Sequence, residues 1–370
     1  MTEERLYWVG FSRIKGIGAV RFQSLLDYFG SAEAAWLAAP ADLAAAGLSL
    51  KLIERVVAAR TSLDLESYAA QIAAQGIRLL TWQDDAYPAR LKDINQPPPV
   101  LYLRGDLTPE DHWAVAIVGT RAVTAYGRQV TEDLAAALAR HGVTVVSGLA
   151  RGVDAIAHAA ALKAGGRTLA VLGSGVDVIY PPEHRQLAEK ITTQGAIISD
   201  YAPGTPPESS NFPPRNRIIS ALSLAVVVIE AAETSGALIT AEFAADQGRE
   251  VFAVPGSIFA PQSKGTNRLI ANGARPLLSP QDVLTALDLT RNIERRDIRR
   301  AAPTDATESM LYNALKNEPL HVDDLRALTG LPIEKVSAAL TLMELKGMVR
   351  QVGNMNYMAI GEAPAPYETG

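Results

Sequence analysis

The alternation of hydrophobic and polar positions divides the chain into segments of different period. Residues 1–84 are alanine-rich and repeat apolar positions at helical spacing, which predicts a helical domain. Within it, "IKGIGAVRFQSLLDYFG" (residues 14–30) sets Gly16-Ile17-Gly18 before a helix with Val20, Leu25, Leu26 and Phe29 as its apolar positions. A Gly-x-Gly turn at a helix start is the hairpin of a helix-hairpin-helix (SAM-like) unit, and its N–H groups suit a phosphate. A looser copy is "AAAGLSLKLIERVVAAR" (residues 44–60). Acids balance the bases nearby, so a packing module that binds nothing fits the same residues.

Residues 85–288 change period. "YPARLKDINQPPPVLYLRG" (residues 87–105) is a connector in which Pro97–Pro99 impose an extended path, and "PVLYLRG" reads as a short strand. From Trp113 the apolar runs "WAVAIV", "VTVVS", "TLAVL", "AIIS", "LAVVVIE" and "VFAVP" each precede a turn, and most a helical segment. That alternation predicts an α/β domain with a parallel sheet covered on both faces. Arg128–His141, Ala237–Gln247 and the segment before Gly273 read as helices.

Residues 289–306 carry five arginines between Arg291 and Arg300 and read as a solvated linker. Residues 307–360 then predict three helices and a hairpin, a winged helix. The first helix lies around Glu308–Lys316, Gly330 stops the second, and Pro332 opens the third, with Val336, Leu340, Met343 and Leu345 apolar. The hairpin turns at Gly353-Asn354.

Composition narrows the chemistry. The chain has 370 residues and a formal charge of −5, so a nucleic-acid site must be a local concentration of bases. There is no cysteine, which excludes disulfides, thiolate catalysis and cysteine–zinc sites. The five histidines are scattered, without zinc spacing. No apolar run reaches membrane-spanning length and the N-terminus has no secretory core, so a cytoplasmic protein is expected. The winged-helix segment (residues 304–370) has nine Asp and Glu against five Lys and Arg. Its third helix carries Glu334 and Glu344 beside Lys335, which favours protein contact or structure-selective DNA contact over sequence-specific duplex reading.

In parallel sheets ligands sit at the carboxyl ends of the strands. The loops there are rich in Gly, Ser, Thr and Asn and add Arg121, Arg151, Arg215, Arg217 and Lys264. Such donors suit phosphate oxygens, and several arginines over successive loops suit a row of them. "AVAIVGTRAVTAYG" (residues 114–127) has the strand-turn-helix form of a dinucleotide site without G-x-G-x-x-G. Asp154, Asp177 and Glu230 read as isolated acids, and His158 as a capping or packing residue rather than a catalyst.

The ordered segments "AIVGTRAVTAYG", "VSGLARGVDAIAHAAAL", "LAVLGSGVDVIYPPEH", "FPPRNRIISALS", "VIEAAETSGALITAEFAADQGREVFAVPG" and "GTNRLIANGA" resemble the DNA-processing protein A family (DprA, also called Smf). The resemblance spans residues 87–280, and both flanking domains match the longer members. It implies an extended Rossmann-like domain between the helical domain and the winged helix. It also implies a cytoplasmic, non-enzymatic bacterial protein of natural transformation and homologous recombination, without a cofactor. Such a protein binds and protects single-stranded DNA, forms homodimers, counteracts single-strand-binding protein and loads the RecA recombinase. The expected nucleic-acid-binding residues are Gly119, Arg121, Ser147, Gly148, Arg151, Arg215, Asn216, Arg217 and Lys264. Self-association falls near residues 263–274, with Leu269 and Ile270 as its apolar candidates. Asp200 stands where the family pattern suggests glutamate.

Two rival readings belong to other classes. The fold also resembles nucleoside-monophosphate phosphoribohydrolases, but "ETSGALITAEF" lacks their paired glycines and has Phe243 where the catalytic glutamate would stand. A transcription factor acting through the winged helix is the other.

Overall fold

A computed structural model describes residues 3–288, 305–315, 318–345, 348–352 and 355–359. The linker expected at 289–306 falls almost wholly outside them, as does the turn at Gly353-Asn354. The described chain forms two compact units, Met1–Leu287 and Asp288–Gly370.

The first unit begins with six helices: α1 (Glu3–Ser12), α2 (Ala19–Phe29), α3 (Ala32–Leu37), α4 (Pro40–Ala45), α5 (Leu50–Ser62) and α6 (Leu65–Ala74). Both hairpin readings find a turn, Gly16–Gly18 between α1 and α2 and Gly47 between α4 and α5. Four buried aromatics lock this layer: Trp8 meets Phe22 at 4.7 Å between ring centres, and Phe11 meets Trp36 at 5.1 Å. The same apolar cluster continues through Tyr102, Val176, Ile191 and Ile197 of the α/β layer. The helical segment therefore shares a core with the sheet, and both belong to one compact unit.

The sheet has nine strands: β1 (Arg78–Thr81), β2 (Val100–Gly105), β3 (Ala114–Val118), β4 (Thr144–Ser147), β5 (Thr168–Val171), β6 (Gly195–Ser199), β7 (Ala225–Val228), β8 (Glu250–Ala253) and β9 (Arg275–Pro276). Their order is β1-β2-β6-β5-β4-β3-β7-β8-β9. Strands β3 to β9 are parallel to their neighbours, whereas β1 and β2 add an antiparallel edge beside β6. Every residue of β3 to β7 is buried, which is why these strands read as unbroken apolar runs. The expected break at residue 84 lies beyond β1, which already pairs with β2.

Helices α7 (Ala89–Lys92), α8 (Ala125–Arg140), α9 (Val153–Lys163), α10 (Arg185–Gln194), α11 (Phe212–Ala221), α12 (Gly236–Asp246), α13 (Lys264–Ala271) and α14 (Pro280–Ala286) complete the unit. Helix α8 starts three residues before the expected Arg128, because the Thr124 hydroxyl caps it by accepting from the Gly127 N–H.

His158 of α9 packs as expected. Fully buried, it bonds the Thr168 hydroxyl through Nδ1 at 2.6 Å, and burial holds its pKa down to about 3. The neutral ring stabilises the fold fully above its unfolded pKa of about 6.5, and that contribution is lost as pH falls toward 3. In urea unfolding at stepped pH, His158→Asn should flatten the acid limb by about 1.4 kcal/mol per pH unit relative to wild type.

The second unit is a winged helix of α15 (Ala306–Ala314), α16 (Val322–Thr329), α17 (Ile333–Leu345) and the strands β10 (Leu320–His321), β11 (Val349–Gln351) and β12 (Asn356–Ala359). Gly330 ends α16 in the left-handed conformation, as the sequence requires. Leu311, Leu325, Val336, Leu340 and Met343 form its core.

Candidate nucleic-acid interface

The chain runs from β3 through β4 and β5 to β6 on one side, then returns through β7 on the other side of β3. In a dinucleotide-binding protein the phosphates would occupy that switch point, against the N-terminus of the first helix. Here the place is taken by a side chain. The Glu230 carboxylate, 3% exposed, accepts the Thr124 N–H at 2.9 Å and the Thr124 hydroxyl. The acid is not isolated: it is the anion of the α8 N-terminus. At Gly119 a Cβ would lie 2.7 Å from Val153 Cγ2, so the packing of α9 against this turn requires glycine there.

A small cleft lies one step along the sheet, at the carboxyl ends of β3, β4 and β5 and the first turn of α11. Arg121, Gly148, Arg151 and Arg215 line it, together with the aromatics Tyr180 and Phe212. Gly148 follows β4, and a Cβ there would lie 2.6 Å from Arg215 Nη2, so only glycine lets the guanidinium approach. Arg215 Nη1 donates to the Gly148 carbonyl at 2.9 Å and to the Val171 carbonyl. Its side chain is buried, and Nε has no protein partner. Asp154 lies beneath, accepting the N–H groups of Gly148 at 3.1 Å and Ala150 at 3.3 Å. Burial lowers the Arg215 pKa to about 10, against the opposing attraction of Asp154. Burial likewise raises Asp154, which Arg215 pulls back down.

Above this buried cation stands an aromatic pair. Tyr180 and Phe212 have ring centres 6.0 Å apart at 37°. The guanidinium carbons of Arg121 and Arg215 lie 5.7 and 6.0 Å from the Phe212 ring centre. Arg121 itself is exposed. The cleft thus offers cations for phosphate beside a stacking surface. Sequence reading missed both aromatics, although each stands before two prolines, in "YPP" and "NFPP".

The other expected residues separate. Ser147 is buried, donating to the Ile117 carbonyl at 2.6 Å. Arg151 lines the cleft but pairs with Glu183 at 2.6 Å. Asn216 donates toward the Gly236 carbonyl at 3.3 Å, and Arg217 pairs with Asp200 at 3.0 Å and donates to the Gln96 carbonyl. Successive helical residues project about 100° apart, so only the first of Arg215, Asn216 and Arg217 faces the cleft. Lys264 is exposed at the start of α13, after β8, and does not line it. Asp177 accepts the Gly204 N–H. In the first hairpin, Arg21 donates to the Gly16 carbonyl and Arg55 to the Lys15 carbonyl, so these cations hold the turn.

Comparison with known proteins follows this architecture. A family model for DNA recombination-mediator protein A matches residues 78–288. Models for the DprA winged helix domain and the DprA-like N-terminal HHH domain match residues 298–355 and 2–61. The protein Smf of a Synechocystis species is 37% identical, over 96% of this chain and 99% of its own length. The DNA processing protein DprA of Bacillus subtilis is 45% identical, over 60% of this chain and 74% of its own. The X-ray structure of DNA processing protein A from Streptococcus pneumoniae superposes with a TM-score of 0.66 at 34% identity, over 77% of this chain and 98% of that one. A structure of the Helicobacter pylori protein, described by its single-stranded DNA binding mode, superposes at 0.52 with 33% identity, over 57% of this chain and 95% of that one. With its sheet, helical segment and winged helix each matched in order, the chain belongs to the DNA recombination-mediator protein A family, the DprA or Smf proteins.

Proposed function

We propose that this chain binds single-stranded DNA in the cleft of Arg121, Arg215, Tyr180 and Phe212 and serves DNA processing in transformation and recombination. The observation that carries the reading is the placing of two guanidiniums against one aromatic ring. A single strand presents phosphates and unstacked bases together, and sites for it combine cations with stacking platforms. The relative from Helicobacter pylori, whose structure concerns single-stranded DNA, supports the ligand class. In this reading the cleft binds rather than catalyses, with the Asp154 carboxylate beneath it accepting two backbone N–H groups.

In its wider role the protein protects incoming DNA, counteracts single-strand-binding protein and loads RecA recombinase as a cytoplasmic homodimer. The self-association surface lies at α13. Ile270 is half-exposed there, while Leu269 leans on the sheet core. Beside them Asn267 holds the loop at Gly256, from which Ile258 and Phe259 project 73% and 87% exposed. Among the described residues no helix is long and apolar enough to cross a membrane.

The test is an affinity titration with oligothymidine. Stacking on an aromatic is worth about 1–3 kcal/mol per base, so Phe212→Ala should weaken binding about five- to 150-fold. Unchanged affinity would remove the stacking platform from the reading.

A further inference from the structure

The turn that carries Arg121 is fastened at both ends by one residue. The Thr120 N–H donates to the Glu230 backbone carbonyl at 2.8 Å. Four residues on, the Thr124 N–H and hydroxyl donate to the two oxygens of the Glu230 carboxylate. Only Arg121, Ala122 and Val123 lie between these anchors. The surrounding sequence keeps the carboxylate in place: at Gly127, in the first turn of α8, a Cβ would sit 2.5 Å from its carbon. A carboxylate at a helix N-terminus gains from the helix dipole, and charge-assisted bonds are short and strong.

We propose that Glu230 is the positioning residue for Arg121: its buried carboxylate stands where a nucleotide phosphate would, and fixes the turn so that Arg121 is held beside Phe212 for the DNA backbone. The proposal rests on the reading of the cleft as a single-strand site. A guanidinium whose backbone is already fixed loses less freedom when a phosphate arrives, which is where the gain in affinity comes from. Glu230 itself touches no DNA.

The experiment measures oligothymidine affinity by fluorescence anisotropy across a salt series. The variants are Glu230→Ala, Thr124→Val, Thr124→Ser, Arg121→Ala and the Glu230→Ala, Arg121→Ala double variant. Glu230→Ala and Thr124→Val should each weaken binding about two- to tenfold, the worth of holding one long side chain. Both should lower the slope of log affinity against log salt, by less than the value of about 0.7 for one whole phosphate contact on a single strand, because Arg121 is loosened rather than removed. Thr124→Ser keeps the hydroxyl and should bind like wild type. The double variant should bind no more weakly than Arg121→Ala, because the two residues act as one unit. Losses that multiply, or a wild-type slope in Glu230→Ala, would overturn the proposal. Should Glu230→Ala not fold, the Thr124→Val and Thr124→Ser pair makes the same comparison, and equal binding by these two overturns it. Normal binding by Arg121→Ala would instead defeat the reading of the cleft, and the proposal with it.

Discussion

Arg121→Glu removes most single-strand binding and leaves thermal unfolding unchanged. The residue is exposed on a turn whose backbone is held by other groups, so its replacement falls within about 0.5 kcal/mol of wild-type stability. One hydrogen bond to a charged group is worth about 1.5–3 kcal/mol, or about ten- to 150-fold in affinity. Reversal adds repulsion of the strand, so the loss exceeds the upper end of that range at low salt and shrinks as salt screens it. Oligothymidine anisotropy beside a melting curve checks both halves. A variant that binds well, or one that melts early, contradicts the placement of Arg121.

Arg215→Glu has the opposite signature: stability and binding fall together. The guanidinium is buried, bonded to two carbonyls and opposed to Asp154. A carboxylate in its place would face those two carbonyl oxygens and the Asp154 carboxylate with no cation among them. Burying an unpaired charge among acceptors left without a donor is one of the substitutions that cost about 4 kcal/mol or more, a large part of the stability of an ordinary domain. Denaturant unfolding should show a loss of that size, and a variant as stable as wild type would contradict the buried network. The two arginines read alike in the sequence, as phosphate contacts on neighbouring loops, yet one is a surface hand and the other part of the floor.

That difference marks how far the sequence could be read. The five central strands, β3 to β7, were legible because burial on both faces leaves no polar position to interrupt them. The winged helix was legible through Gly330, which needs a left-handed backbone at the end of α16. β1 was missed because "RLLT" follows a helical segment and is too short to show its own period. At the site, the cations were found by composition, but their directions were not. Arg217 points to Asp200, and Ser147 is consumed within the sheet. The aromatic pair joins residues 180 and 212, and the Glu230 clamp joins residues 124 and 230. Such pairings are made by the topology of the sheet, which brings the ends of β3, β5 and β7 together, and no local pattern announces them.

The central claim is that a single strand lies across this cleft with a base against Phe212. Photocrosslinking of oligothymidine carrying 5-iodouracil, followed by peptide mapping, tests it most directly. Adducts on the peptides containing Tyr180 or Phe212, reduced in Arg121→Glu and competed by unlabelled oligothymidine, are the predicted result. Adducts confined to the N-terminal hairpins or the winged helix, with none at Tyr180 or Phe212, would contradict it.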